Sequence, residues 1–190
     1  MTFSHFACHL VTDALPAMVL GVEPPEPDVM ERKPRAPDQR VITKRRGVLI
    51  LYHGLLNATA AAVAFYFVYR GNPDKLPQAQ TAAFCTLAFA QLMFSFGCRS
   101  ERYTLPQLGA FSNPWFIGAI GTSTLLQLAV VSLPILQPLF KVTPISSTSD
   151  WAMIALLSLL PVTVIEVTKI VRGLRPTESS HMGVITPAVR

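Results

Sequence analysis

Charge is what this sequence has little of. Asp, Glu, Lys and Arg together make up 14% of its 190 residues, against about a quarter in an ordinary soluble domain. The shortage is uneven. No charged residue falls in 48–69, 76–98, 103–140 or 151–165, and Asp13 stands alone in 1–22. A helix needs about 20 mostly apolar residues to cross a hydrocarbon core, and five windows reach that length when Glu166 is set at the interface. Soluble, disordered and collagen-like chains are excluded on the same grounds. Cysteine is scarce too: Cys8, Cys85 and Cys98 show no CxxC or Cys/His spacing, which excludes a disulfide scaffold and reads as buried thiols acting as small hydrophobes. There is no Walker loop, nucleophile elbow, HExxH or dinucleotide fingerprint, so no nucleotide site or energy-coupling machinery is expected in this chain. No internal repeat is present.

What remains is an all-α integral membrane pattern. Five transmembrane helices are expected at about 2–20, 47–69, 79–98, 114–137 and 151–172, forming one multi-pass bundle in a plasma or inner membrane. Between the first two runs GVEPPEPDVMERKPRAPDQRVITKRR, with five prolines and twelve charges, a composition that favours an extended, solvated loop. If this loop is cytoplasmic, thirteen of the sixteen Lys and Arg share its side and only Arg70, Lys75 and Lys141 lie opposite. That positive-inside bias predicts an outside N-terminus and an inside C-terminus, and it accounts for the basic excess without nucleic acid. Tyr69, Tyr103, Trp115 and Trp151 fall at helix ends, where amphipathic rings favour the headgroup layer. The segment 1–172 reads as one membrane domain and 173–190 as a flexible cytoplasmic tail.

The first span carries the chemistry. In MTFSHFACHLVTDALPAMVLG, residues His9, Thr12 and Asp13 stand at i, i+3 and i+4 and share a helix face. Pro16 has no N–H to offer the carbonyl of Thr12. A carboxylate, a hydroxyl and a freed carbonyl at mid-membrane depth suit a hard cation shedding water, and an ionisable group there is read as functional. Two other readings stay open: a protonated Asp13 bonded to a neighbouring helix, or a softer metal such as zinc held by His5, His9 and Asp13. Gln91, midway along the third span, can offer an ion a neutral oxygen or bridge two helices. His53 and Asn57 favour helix-to-helix hydrogen bonding. Gly54, Ala58 and Ala62 form a small-residue face that implies a closely packed neighbour. Pro161 is expected to kink the last helix, and Glu166 with Lys169 reads as an interfacial pair.

These residues resemble a known family. HLVTDALPAMVLGVEPPEPDVMERKPR looks like the sixth transmembrane helix and following loop of P-type cation pumps of the calcium ATPase kind, where the pattern runs near N-L-V-T-D-G-L-P-A and then E-P-x-x-x-D-x-M. CRSERYTLPQLGAFSNPWFIGAI is similar to their junction between helices eight and nine, and LLPVTVIEVTKIVR to their helix ten. The resemblance spans about residues 2–172 in unbroken order. It implies that Thr12 and Asp13 bind the transported cation, calcium or another divalent ion, and that Gln91 adds an amide oxygen. His9 departs from the pattern, standing where calcium pumps have asparagine.

The family's D-K-T-G-T phosphorylation motif, its ATP-binding domain and its fourth and fifth helices have no counterpart here. A cage of six to eight oxygens does not close on one carboxylate, one hydroxyl and one amide. The expectation is therefore a C-terminal membrane module, helices six to ten, from a split subunit or truncated gene product. It would be incompetent for transport alone and partnered by the bilayer and by the remaining helices and cytoplasmic domains of the pump. The alternative is a free-standing five-helix protein that binds or regulates a membrane partner through the Gly54 face.

Overall fold

A computed structural model of the chain describes residues 14–25, 30, 44–100, 103–109 and 111–173. Among these residues the regular structure is helical throughout, with no strand. Residues 14–20 form α1, the described part of the first expected span. There follow α2 (Lys44–Tyr69), a 3-10 turn (Pro73–Lys75), α3 (Leu76–Gly97), α4 (Leu105–Leu108), α5 (Pro114–Ser132), α6 (Gln137–Phe140) and α7 (Thr148–Gly173). Four segments among the described residues are long and apolar enough to cross a membrane: Arg46–Tyr69, Pro73–Gly97, Pro114–Ser132 and Thr148–Val171. Their outward faces carry large aliphatic side chains such as Leu51, Leu55, Leu125 and Leu156. Water would penalise such a surface and lipid does not.

Local sequence explains the boundaries. The Asn72 side chain accepts the N–H of Asp74 and opens the 3-10 turn that leads into α3. Asn113 does the same for α5, accepting from Phe116 with Pro114 in the first turn, where a missing N–H is harmless. The fourth span ends earlier than the expected 137. Its helix stops at Ser132, because Pro134 disfavours helical backbone in the residue before it, and Leu133 takes an extended conformation with ψ 119°. Gln137 Nε2 then donates to the Val131 carbonyl at 2.9 Å, satisfying an acceptor that the early stop releases. The short α6 that follows is closed by Lys141 in the left-handed region at φ 51°.

Packing centres on α3, which lies against α2, α5 and α7. Its buried positions include Ala79, Ala82, Ala88, Ala90 and Gly97, and α2 answers with Ala60, Ala64 and Val68. Small side chains let helix backbones approach closely where lipid removes the hydrophobic drive between helices. The approach is tightest at Gly97, where an added Cβ would stand 2.8 Å from Ile165 Cδ1 on α7. The small-residue face of Gly54, Ala58 and Ala62 lies elsewhere on α2: it is exposed, a Cβ on Gly54 would meet nothing within 4 Å, and the neighbour it implies is not one of the described helices. Val19 and Leu20 of α1 pack on Leu92, Phe116 and Ile120, seating the first helix between α3 and α5.

Candidate functional site

Of the residues singled out for cation chemistry, His5, His9, Thr12 and Asp13 lie outside the described residues; so do Cys8 and the tail from 174. Asp13 immediately precedes α1. Six and seven residues further on, Val19 and Leu20 sit in one apolar cluster with Leu92 of α3, so the helix continuing from Asp13 runs directly beside the helix that carries Gln91. Among the described residues no three His, Cys, Asp or Glu side chains come together as a metal cluster. The chemistry available there is that of neutral oxygens.

Gln91 sits in the last third of α3, half-buried, and its Oε1 is shielded from solvent with no hydrogen-bond donor among the described residues. Asn57 Oδ1 on α2 is in the same condition, so the interhelical bond expected of it is not made to this oxygen by any described residue. His53, one turn before Asn57, packs edge-on against Phe94 of α3 with ring centroids 5.3 Å apart. From that contact, Asn57 lies four residues along α2 and Gln91 three residues back along α3, rises of about 6 and 4.5 Å. A buried acceptor without a donor costs about 1–3 kcal/mol. Such a cost fits an oxygen that meets its partner only when a ligand or further chain arrives.

Two polar junctions at the basic end of the bundle fix the helices that matter. In the first, Arg99 directs Nε to Glu23 Oε1 at 2.8 Å and places Nη2 against the same oxygen. Its Nη1 donates to the Gly109 carbonyl at 3.1 Å and its Nη2 to Ser112 Oγ at 2.7 Å. Asn113 Nδ2 donates to the other Glu23 oxygen at 2.8 Å, and the guanidinium lies over the Phe116 ring, 5.2 Å from its centre. The Arg99 side chain is 1% exposed and that of Glu23 14%. In the second junction Lys169 Nζ donates to the Gly97 carbonyl and to Glu166 Oε1, each at 2.9 Å, while Glu166 Oε2 accepts from the Leu105 backbone at 2.8 Å. Glu166 and Lys169 are thus the pair the sequence suggests, with a larger task than pairing. They hold the end of α3 and the start of α4 to α7.

The Glu23–Arg99 junction was not legible from local pattern, since its members are 76 residues apart. The usable signal was that each stands as a charge just past the end of an apolar span. Cys98, beside Arg99, is exposed, yet desolvation pushes its thiol above the ordinary cysteine value, with the Lys169 ammonium pulling the other way.

Comparison with known proteins bears on this arrangement. The family model for the C-terminus of cation transporting ATPases matches residues 7–171. A calcium-transporting ATPase of Bacillus subtilis is 44% identical over 153 residues, covering 80% of this chain and 17% of the relative. Calcium-transporting ATPase 1 of Bacillus cereus is 35% identical over 178 residues, covering 86% and 20%. That of Lactococcus lactis is 30% identical over 165 residues, covering 87% and 18%. The chain therefore spans about a fifth of the length of these relatives.

Proposed function

The chain belongs to the family of cation-transporting ATPase C-termini, and from that premise we propose that it forms helices six to ten of a calcium-type pump and supplies part of the transported ion's cage. Thr12 and Asp13 would give a hydroxyl and a carboxylate, and Gln91 an amide oxygen. If the helix continues through this segment, His9, at i−4 from Asp13, would share its face. The remaining oxygens would come from helices outside this chain, and so would the nucleotide and phosphorylation chemistry. On this reading the module does not transport by itself, and the basic end of the bundle faces the cytoplasm.

One observation carries the reading: the half-buried Gln91 oxygen has no donor among the described residues, on a helix packed beside the one that follows Asp13 in sequence. A cation with several coordination places to fill would give it a partner. The exposed Gly54, Ala58 and Ala62 face of α2 supports docking of the pump's other membrane helices there, because small residues admit close backbone approach. The test is ion-dependent phosphorylation of the complete, assembled pump. Asp13→Asn is expected to abolish it and Gln91→Leu to raise the ion concentration it requires. Unchanged ion dependence in Asp13→Asn would end the site assignment.

A second reading draws on the buried contacts among α2, α3 and α7: a free-standing membrane protein that binds a partner. It predicts a monodisperse fold in mild detergent without other pump segments. Aggregation or rapid proteolysis of the chain expressed alone would exclude it.

A further inference from the structure

We propose that Glu23 and Arg99 form a positioning clamp that fixes how far α1 sits along α3, and so holds the ion-site segment leading into α1 in register with Gln91. The inference rests on the ion-site reading above and adds to it two residues that touch no ion. Contacts between α1 and α3 advance in the same direction: Val19 and Leu20 share a cluster with Leu92 and Phe96, and Glu23 meets Arg99. The two helices are therefore parallel, and a fastening at their shared end fixes how far one can slide along the other.

The fastening is coupled tightly to both. Gly21, Val22 and Glu23 each donate backbone hydrogen bonds three residues back, to Met18, Val19 and Leu20 at 3.1, 3.1 and 3.4 Å. Glu23 thus leaves α1 through a bonded turn and not through free chain. Arg99 is joined to α3 by its own N–H to the Phe96 carbonyl at 3.4 Å, next to Cys98, which bonds back to Phe94 at 3.2 Å. Glu23 comes ten residues after Asp13 and Arg99 eight after Gln91. On α3 that step puts Gln91 about 12 Å from the clamp, and any slide of α1 along α3 carries with it the chain that leads into α1.

The chemistry of the clamp suits setting a register better than merely adding stability. An ion pair taken out of water returns little net stability over an apolar replacement, whereas its geometry is demanding. Here the guanidinium fork is met by Glu23 Oε1, Ser112 Oγ and the Gly109 carbonyl, and Asn113 holds the second carboxylate oxygen. A slide of α1 by one residue would break several of these contacts together. The second junction, through Lys169, ties α3 to α7 and leaves α1 untouched, which makes it the matched control.

The experiment measures, in the complete assembled pump in native membranes, the cation concentration for half-maximal phosphorylation and the maximal phosphoenzyme per pump. Glu23→Gln and Arg99→Lys are each expected to raise the half-maximal concentration by roughly tenfold, the low end of what groups orienting metal ligands contribute, with the maximum per pump unchanged. Lys169→Met is expected to leave the half-maximal concentration within twofold. Should Glu23→Gln fail to reach the membrane, Glu23→Asp keeps the charge, shortens the reach and gives the same readout. Unchanged half-maximal concentration in the clamp variants, or an equal shift in Lys169→Met, overturns the proposal and leaves the junction a staple. Asp13→Asn, run in parallel, separates the two failures. If it abolishes ion dependence while the clamp variants do not move, only the clamp is wrong; if it has no effect, the ion site itself is wrong.

Discussion

Replacing Gly97 by alanine probes the tightest helix contact in the bundle. The new methyl would stand 2.8 Å from Ile165 Cδ1, 3.1 Å from Cγ2 and 3.4 Å from Cβ. The first contact is relieved by rotating a terminal methyl, but the second belongs to a branch that moves only with the Ile165 side chain or with α7. Overpacking of this kind costs typically about 1–3 kcal/mol. Against it stands the gain of about 0.4–1 kcal/mol from removing a glycine's freedom in the unfolded chain, since Gly97 lies in ordinary helical backbone. The net expectation is a loss of about 1–2 kcal/mol. Separation of α3 from α7 would also lengthen the Lys169 bond to the Gly97 carbonyl, now 2.9 Å. The assay is reversible unfolding of the purified protein in mixed micelles by added sodium dodecyl sulfate, followed by helical circular dichroism. A companion Ile165→Val removes the 2.8 Å contact, so the pair should couple favourably by about 1 kcal/mol in a double-mutant cycle. Additivity within about 0.3 kcal/mol, or a stabilising Gly97→Ala, would refute the account of α3 and α7 as backbone-close.

Three further outcomes follow from the same structure. Gln91→Leu removes a buried acceptor that lacks a donor among the described residues, so it should stabilise the ion-free bundle by about 1 kcal/mol while weakening ion-dependent phosphorylation; a loss of both would argue against the orphaned oxygen. Asn113→Ala deletes the cap of α5 and the donor to Glu23 Oε2, for an expected loss of about 2 kcal/mol, roughly one for the cap and one for the hydrogen bond, read in the same unfolding assay. Because burial raises the Cys98 thiol and Lys169 opposes that rise, its thiolate fraction at pH 7 is below that of an ordinary cysteine. Maleimide labelling of Cys98 should therefore be slow, speed up as pH rises through the raised value, and slow further at fixed pH in Lys169→Met; faster labelling in that variant would contradict the assignment.

Much of the architecture was readable because lipid permits so little else. A run such as 48–69, free of charge, must satisfy its backbone internally, and the expected helix at 47–69 appears as α2 (Lys44–Tyr69). Where the reading slipped, a local rule had been outweighed: apolar composition continued past Ser132 to Leu136, but Pro134 ended the helix. Which face of α2 packs inside this chain was not legible for another reason. Gly54, Ala58 and Ala62 match a packing motif, yet Ala60, Ala64 and Val68, offset by two residues, are the ones buried. Periodicity reveals that a helix has a small-residue face and not which of two such faces meets a partner inside the same chain. The candidate site was legible at Gln91 from one polar residue in an apolar run, whereas the Glu23–Arg99 clamp joins residues that no window contains together.

The Lys169 junction also imposes a timetable. Its two halves, Gly97 and Lys169, are 72 residues apart, and at about 5–20 residues per second of synthesis the first waits roughly 4–14 seconds for the second. Throughout that interval the Gly97 carbonyl and the Leu105 amide lack their partners on α7, and α3 can pack on α2 and then on α5 but not on α7. The last helix is thus the one that closes the assembly. A ribosome stalled before residue 169 would leave an inserted but unlatched intermediate, open to membrane proteases and chaperones in a way the finished bundle is not.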